Sequence, residues 1–221
     1  MFFEAETRHR PDLFTFFLSF FVLFLFFHSS SCPGPPVDLA TLETFARDSH
    51  ASVLSLQMEA ADLLASSSAS STTSLGDLDH AASHLGTSYG LVAVLRGSVR
   101  HAQKRRSYLP MDLCAAAGIS TEDIYRGRAD RGAICDVVFE VAKVAKGHLH
   151  EAMQLSRDFE REAQLTLMMP AVPAGMTLAL LERVNFDIFS PQLQRGMMGG
   201  LNPLALQAKL IWSRIIGRPF V

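Results

Sequence analysis

The densest set of residues able to do chemistry lies between Leu91 and Pro110, where the chain reads LVAVLRGSVRHAQKRRSYLP. Arg96, Arg100, Lys104, Arg105 and Arg106 gather cations at one helix end and the loop after it, with His101 among them and Tyr108 just beyond. Such a cluster can receive a diphosphate, a lipid headgroup or an acidic protein surface. The bland alternative is a solvated helix C-terminus, which favours cations through its dipole. No carboxylate occurs in the stretch, so it offers nothing to a hard metal ion such as magnesium.

Other chemical residues are sparser. His80 and His84 lie four apart on a helix face, which is zinc-ligand spacing, but no HExxH pattern or third ligand accompanies them, so capping and packing are the expected roles. His148 and His150 fall on different faces of one helix. Asp158, Glu160 and Glu162 alternate around a helix end and read as solvated. The chain has no GxSxG, no GxxxxGK[ST] and no local Cys-His pair, so neither nucleophilic catalysis nor a phosphate loop is supported. No resident metal or cofactor is expected. The loop NFDIFSP, with Phe186, Ile188 and Phe189 around Asp187, is either a docking edge or a cover folded over a helix end.

The composition narrows the class. A 221-residue chain of 24.3 kDa with 48% apolar residues can bury a core of its own. A formal charge of -2 and a pI near 6.4 exclude nucleic acid as the main partner. Cys32, Cys114 and Cys135 are odd in number and lack CxxC spacing, which fits a reducing compartment.

These groups must be positioned by helices. Residues 1–36 form a hydrophobic leader, with eight phenylalanines between Leu13 and Phe27. The leader reads as a signal-like segment, a short membrane anchor, or a polypyrimidine tract translated from an intron, and it lacks the Arg-rich amphipathic character of a transit peptide. Residues 37–221 read as one helical domain. Asp38 caps a helix with Leu42, Phe45, Ala46, Val53, Leu56, Ala60 and Leu63 at threes and fours, and Ser66 to Asp77 is a polar connection. A central helix from Asp79 to Arg100 turns Leu85, Tyr89, Val92, Leu95 and Val99 inward, and Ala81, Gly86, Gly90 and Gly97 let another backbone approach. Pro110 opens a short helix ending near Gly118, and Ser120 with Asp123 forms a capping box for the next. Asp130 to Phe159 carries the clearest stripe, from Ile134 through Val137, Val138, Val141, Val144, Ala145, His148 and Ala152 to Leu155. Helices are also predicted over Met176 to Val184 and over Leu204 to Ile216, the last anchored by Trp212. Strand-like alternation is missing, so the class is all-α without a fixed-period repeat.

The central segment resembles the second signature of the squalene/phytoene synthase family, a helix reading roughly Asn-Ile-Leu-Arg-Asp-x-x-Glu-Asp that leads through a basic loop into Tyr-Leu-Pro. Leu95, Arg96, Tyr108, Leu109 and Pro110 match it. The blocks DHAASHLG, YLPMDLCAAAGISTEDIYRG and LERVNFDIFSPQL are similar to a mitochondrial branch of that family. The resemblance covers about Asp38 to Val221. It implies a helical bundle of the isoprenoid synthase type I fold, here without its N-terminal helices.

In that family, carboxylates on two helices hold magnesium against a prenyl diphosphate. Here the metal-motif positions are degenerate: the first aspartate is replaced by Gly97 and the Glu-Asp pair by Arg100 and His101. No Asp-x-x-x-Asp or Asp-Asp-x-x-Asp occurs elsewhere. The resemblance therefore implies a synthase-like protein without catalytic residues that helps to build respiratory complex I at the matrix side of the mitochondrial inner membrane. Its partners would be complex I subunits, other assembly factors or inner-membrane lipid. The alternative it implies is a magnesium-dependent prenyltransferase acting on prenyl diphosphates.

Overall fold

The computed structural model describes residues 34–60, 75–159, 161–195 and 201–216, and every regular element among them is a helix. The phenylalanine-rich run, with its competing readings, lies outside the described residues, as does most of the polar connection that follows Ala60.

Asp38 starts α1 (Leu39–Ala46), its carboxylate accepting from the Thr41 N–H at 2.8 Å and from the Thr41 hydroxyl at 2.6 Å. The helix passes through a π turn (Arg47–Ala51) into α2 (Ser52–Ala60). Leu42, Ala46, His50, Leu54 and Met58 are buried along it. Steps of four overrun the helical period by about 40° each, and the wider turn takes up that drift. This corrects the predicted inward face: Leu56 is 62% exposed and Val53 only half-buried, because both lie beyond the register shift.

Helix α3 (Leu75–Gln103) starts before the predicted Asp79. It runs through the middle of the fold: from Ala81 to Leu95 every residue is buried except Ser83, His84 and Tyr89, which are half-buried. Predicted core positions Leu85, Val92 and Leu95 are sealed, while Tyr89 and Val99 pack at the edge.

Short helices α4 (Met111–Ala116) and α5 (Thr121–Arg126) follow. The carbonyls of Pro36 and Val37 accept from the N–H groups of Met111 and Asp112 at 3.0 and 3.1 Å, which satisfies two donors in the open first turn of α4 and ties it to the segment that enters α1. The predicted capping box at Ser120 and Asp123 is formed, and Gly127 closes α5 at φ 62°, a conformation that suits glycine.

Helix α6 (Arg131–Leu155), capped by Asp130, packs along α3. Its predicted stripe is buried at Ile134, Val137, Val138, Val141, Ala145 and Ala152, and the Ser88 hydroxyl donates to the Ala145 carbonyl at 2.8 Å across the contact. On its outer side Gly147 is exposed, and a Cβ there would meet nothing within 4 Å. Gly147→Ala should therefore raise stability by about 0.5–1 kcal/mol, read as a higher urea midpoint at an unchanged slope.

Helix α7 (Arg161–Met168) was not predicted; α8 (Ala171–Arg183) begins earlier than the predicted Met176. Pro170 and Pro173 sit at the start of α8, where the N–H groups they lack would be unsatisfied anyway. After α9 (Pro191–Gln194), α10 (Pro203–Ile216) lies with Leu206 and Ser213 inward. Trp212 is not its anchor. It is 54% exposed, on the outer side with Leu204, Ile211 and Ile215. The NFDIFSP loop folds back: Ile188 is buried, Phe186 meets the Phe139 ring edge-on at 5.1 Å, and the Arg131 guanidinium stands 6.0 Å from the Phe189 ring. No helix among the described residues is long and apolar enough to cross a membrane.

Candidate functional site

The end of α3 brings together only part of the predicted cluster. Gly97 leaves room for the His101 imidazole to fold back along the helix, since a Cβ at Gly97 would stand 2.7 Å from His101 Cε1. The His101 ring meets Tyr108 edge-on at 4.7 Å, and Tyr108 stacks on Phe45 of α1 at 6.2 Å. Burial pushes the His101 imidazole down to about 4, with Lys104 and Arg106 adding repulsion. At neutral pH it is uncharged, so His101 belongs to an aromatic stack and not to the positive cluster.

The cations divide. Arg105 ends α3 at φ 53°, and its guanidinium bonds the Glu122 carboxylate at 2.8 Å and lies over the Tyr125 ring at 5.7 Å. That side chain pins the loop onto α5. Arg96 is half-buried close to Tyr89, whose hydroxyl burial pushes up while Arg96 opposes the shift. Arg100, Lys104 and Arg106 are exposed and make the positive surface.

A second cluster joins α1, α3 and α6: the His80–His84 pair expected on one helix face is extended by His148 and Glu43, which the sequence does not connect to it. His80 Nε2 lies 3.1 Å from His84 Nε2, His84 Nδ1 lies 2.9 Å from His148 Nδ1, and His148 Nε2 lies 3.4 Å from Glu43 Oε2. His148 and Glu43 are part-buried, with side-chain exposures of 22% and 32%. Burial, then His148 and His80, push the His84 imidazole down, against a smaller opposing pull from Glu151. His150 points elsewhere, its Nε2 2.8 Å from Gln154. The sequence places His148 in the α6 stripe and on a different face from His150, and the signal that could have linked it to His84 is a histidine on each of two helices that pack together.

Among the described residues no group of three or more His, Cys, Asp or Glu is arranged to hold a metal ion. Cys114 is buried and its thiol is pushed up to about 11, which makes it unreactive.

The family model described as squalene/phytoene synthase matches residues 15–198. The chain belongs to the squalene/phytoene synthase family. The match opens upstream of Asp38, where the resemblance was expected to begin, and stops short of α10.

Three curated relatives show where in the family it is most readily compared. The mouse (Mus musculus) protein named NADH dehydrogenase (ubiquinone) complex I, assembly factor 6 is 36% identical over 167 residues, 75% of this chain and 45% of its own length. The human (Homo sapiens) protein of that name is 34% identical over 167 residues, 72% of this chain and 44% of its own. A Dictyostelium discoideum homolog is 30% identical over 152 residues, covering 69% and 40%. The chain thus spans less than half the length of these relatives. Among solved structures, a dehydrosqualene synthase aligns with a TM-score of 0.62 at 16% identity, over 88% of this chain and 64% of its own. That likeness establishes the isoprenoid synthase type of fold for this squalene/phytoene synthase family member.

Proposed function

We propose that this chain acts by binding, as a synthase-derived factor without catalytic residues in the assembly of mitochondrial complex I, docked peripherally on the matrix side of the inner membrane. The observation that carries the reading is the aromatic stack at Gly97, His101 and Tyr108. Where the family signature would put carboxylates one helical turn apart, a neutral imidazole lies folded against its own helix and a tyrosine ring. Magnesium demands hard oxygen ligands, and that surface offers none. The names of the curated relatives support the assignment to complex I assembly. Arg100, Lys104 and Arg106 would then meet an acidic subunit surface or anionic lipid, while Arg105 stays bound to Glu122.

A strain lacking the protein should contain less assembled complex I on native gels while its prenyl products stay unchanged. Re-expression should restore assembly, and the exposed double variant Lys104→Glu/Arg106→Glu should restore it poorly at equal protein level. Normal complex I in the null strain would overturn the proposal. The second reading, a magnesium-dependent prenyltransferase, is favoured only by the fold shared with a dehydrosqualene synthase. Magnesium-dependent diphosphate release from a prenyl diphosphate by folded protein would establish it.

A further inference from the structure

We propose that His80 and His84 form a two-imidazole site for a borderline divalent cation of the zinc class, oriented by His148 and Glu43. The two Nε2 atoms converge from adjacent turns of α3 to 3.1 Å. Two nitrogens bound to one tetrahedral zinc at 2.0–2.1 Å stand about 3.3 Å apart, so very little ring movement is needed. Water would fill the remaining positions, since the protein supplies two ligands at this point.

The outer contacts decide which nitrogens face the cation. Glu43 is a carboxylate and accepts from His148 Nε2–H, which leaves His148 Nδ1 with its lone pair. His148 Nδ1 in turn accepts from His84 Nδ1–H at 2.9 Å. This hydrogen assignment leaves His84 Nε2 unprotonated and aimed at His80. In the metal-free site His80 Nε2–H donates to it; on binding, His80 carries its proton on the solvent side at Nδ1, and no net proton is released. A ligand histidine whose far N–H is held by a histidine and then a carboxylate has the support that metal-binding imidazoles use. The surroundings agree: Glu43 faces the relay, and His80 is exposed for entry. Imidazole selects zinc, copper or nickel over magnesium, so this site would be independent of the family's magnesium chemistry and of the assembly role proposed above.

The test is calorimetric titration of zinc chloride into the full chain at pH 7.5, with circular dichroism as the folding check. One saturable equivalent is expected, and His80→Ala, on an exposed side chain, should remove it without changing the fold. Glu43→Gln leaves both ligands in place and should weaken binding roughly 10–100-fold. Magnesium chloride should give no saturable heat. Equal zinc affinity in the parent and His80→Ala chains, or no saturable zinc binding at all, would overturn the site. Unchanged affinity in Glu43→Gln would overturn the relay.

Discussion

Gly86→Ala should destabilise the protein by about 2 kcal/mol or more, because an added methyl group would overpack a contact between backbones. A Cβ at this position would stand 2.4 Å from both the N and the Cα of Ala51, in the π turn between α1 and α2. Backbone atoms inside a helix cannot swing aside as a side-chain tip can, so α3 and the turn must separate. Alanine would return up to about 1 kcal/mol of helix propensity at an unhindered site, and overpacking of a dense core typically costs about 1–3 kcal/mol or more. The clash is expected to win. Gly90→Ala should behave in the same direction with a smaller loss, since its Cβ would meet the Ala46 Cβ at 2.8 Å, the Ala46 Cα at 2.9 Å and His50 Nδ1 at 2.9 Å, a less severe overlap than the 2.4 Å at Gly86. Urea unfolding of Gly86→Ala beside Gly147→Ala makes the comparison internal: both gain the same propensity, and only one meets a neighbour. Equal midpoints for the two variants would show that the π turn and α3 do not approach as closely as this packing requires.

The same close approach shapes the candidate site. Gly86 and Gly90 bring the α1–α2 turn against α3, and that placement sets Phe45 where Tyr108 can stack on it. His101 completes the stack only because Gly97 presents no side chain one turn earlier. A side chain at position 97 would enter space that the His101 ring occupies. The space beside Gly97 is filled by the His101 ring, which is why the proposed role relies on the outer cations and not on a pocket.

Much of this was legible in the sequence, where local rules and tertiary packing agree. The α6 stripe, the capping box at Ser120 and the small residues of α3 each specify a local geometry that the fold then uses. The failures have a common physical cause. A π turn has no residue signature, so the inward face after Ala51 was assigned to Val53 and Leu56 in place of Leu54 and Met58. Trp212 is large and apolar, but the buried side of α10 is set by what packs on it, which composition does not reveal. His148 and His84 are 64 positions apart, and only the crossing of α6 over α3 brings their nitrogens to 2.9 Å. For the cations, spacing predicted a common helix end, yet Arg105 is diverted by Glu122 and Tyr125 on a helix that follows the loop.

Stability should fall steeply between pH 6.5 and about 4. His50 is buried in the π turn against Tyr89, ring centroids 5.7 Å apart, and burial pushes its imidazole down to about 4 although a bond to the Ala46 backbone favours its charged form. His101 is held down to about 4 by burial, then by Lys104 and Arg106. His84 shifts the same way. In the unfolded chain these groups titrate near 6.5. Below that pH the unfolded state binds more protons than the folded state, so acid favours unfolding. Their contribution is complete above about pH 6.5, is lost as pH falls toward the folded values, and changes no further below them. For His50, a depression from 6.5 to about 4 corresponds to roughly 3 kcal/mol; His101, only partly buried, contributes less. Asp38, lowered by its bonds to Thr41, loses its contribution only below the ordinary carboxylate range, so it leaves this window to the histidines. Urea midpoints measured from pH 7.5 down to 4.5 should hold until about pH 6.5 and decline below it, and His50→Gln, which keeps a polar side chain but removes the titration, should flatten the decline. A midpoint independent of pH across that range would show that neither His50 nor His101 is held neutral in the folded chain.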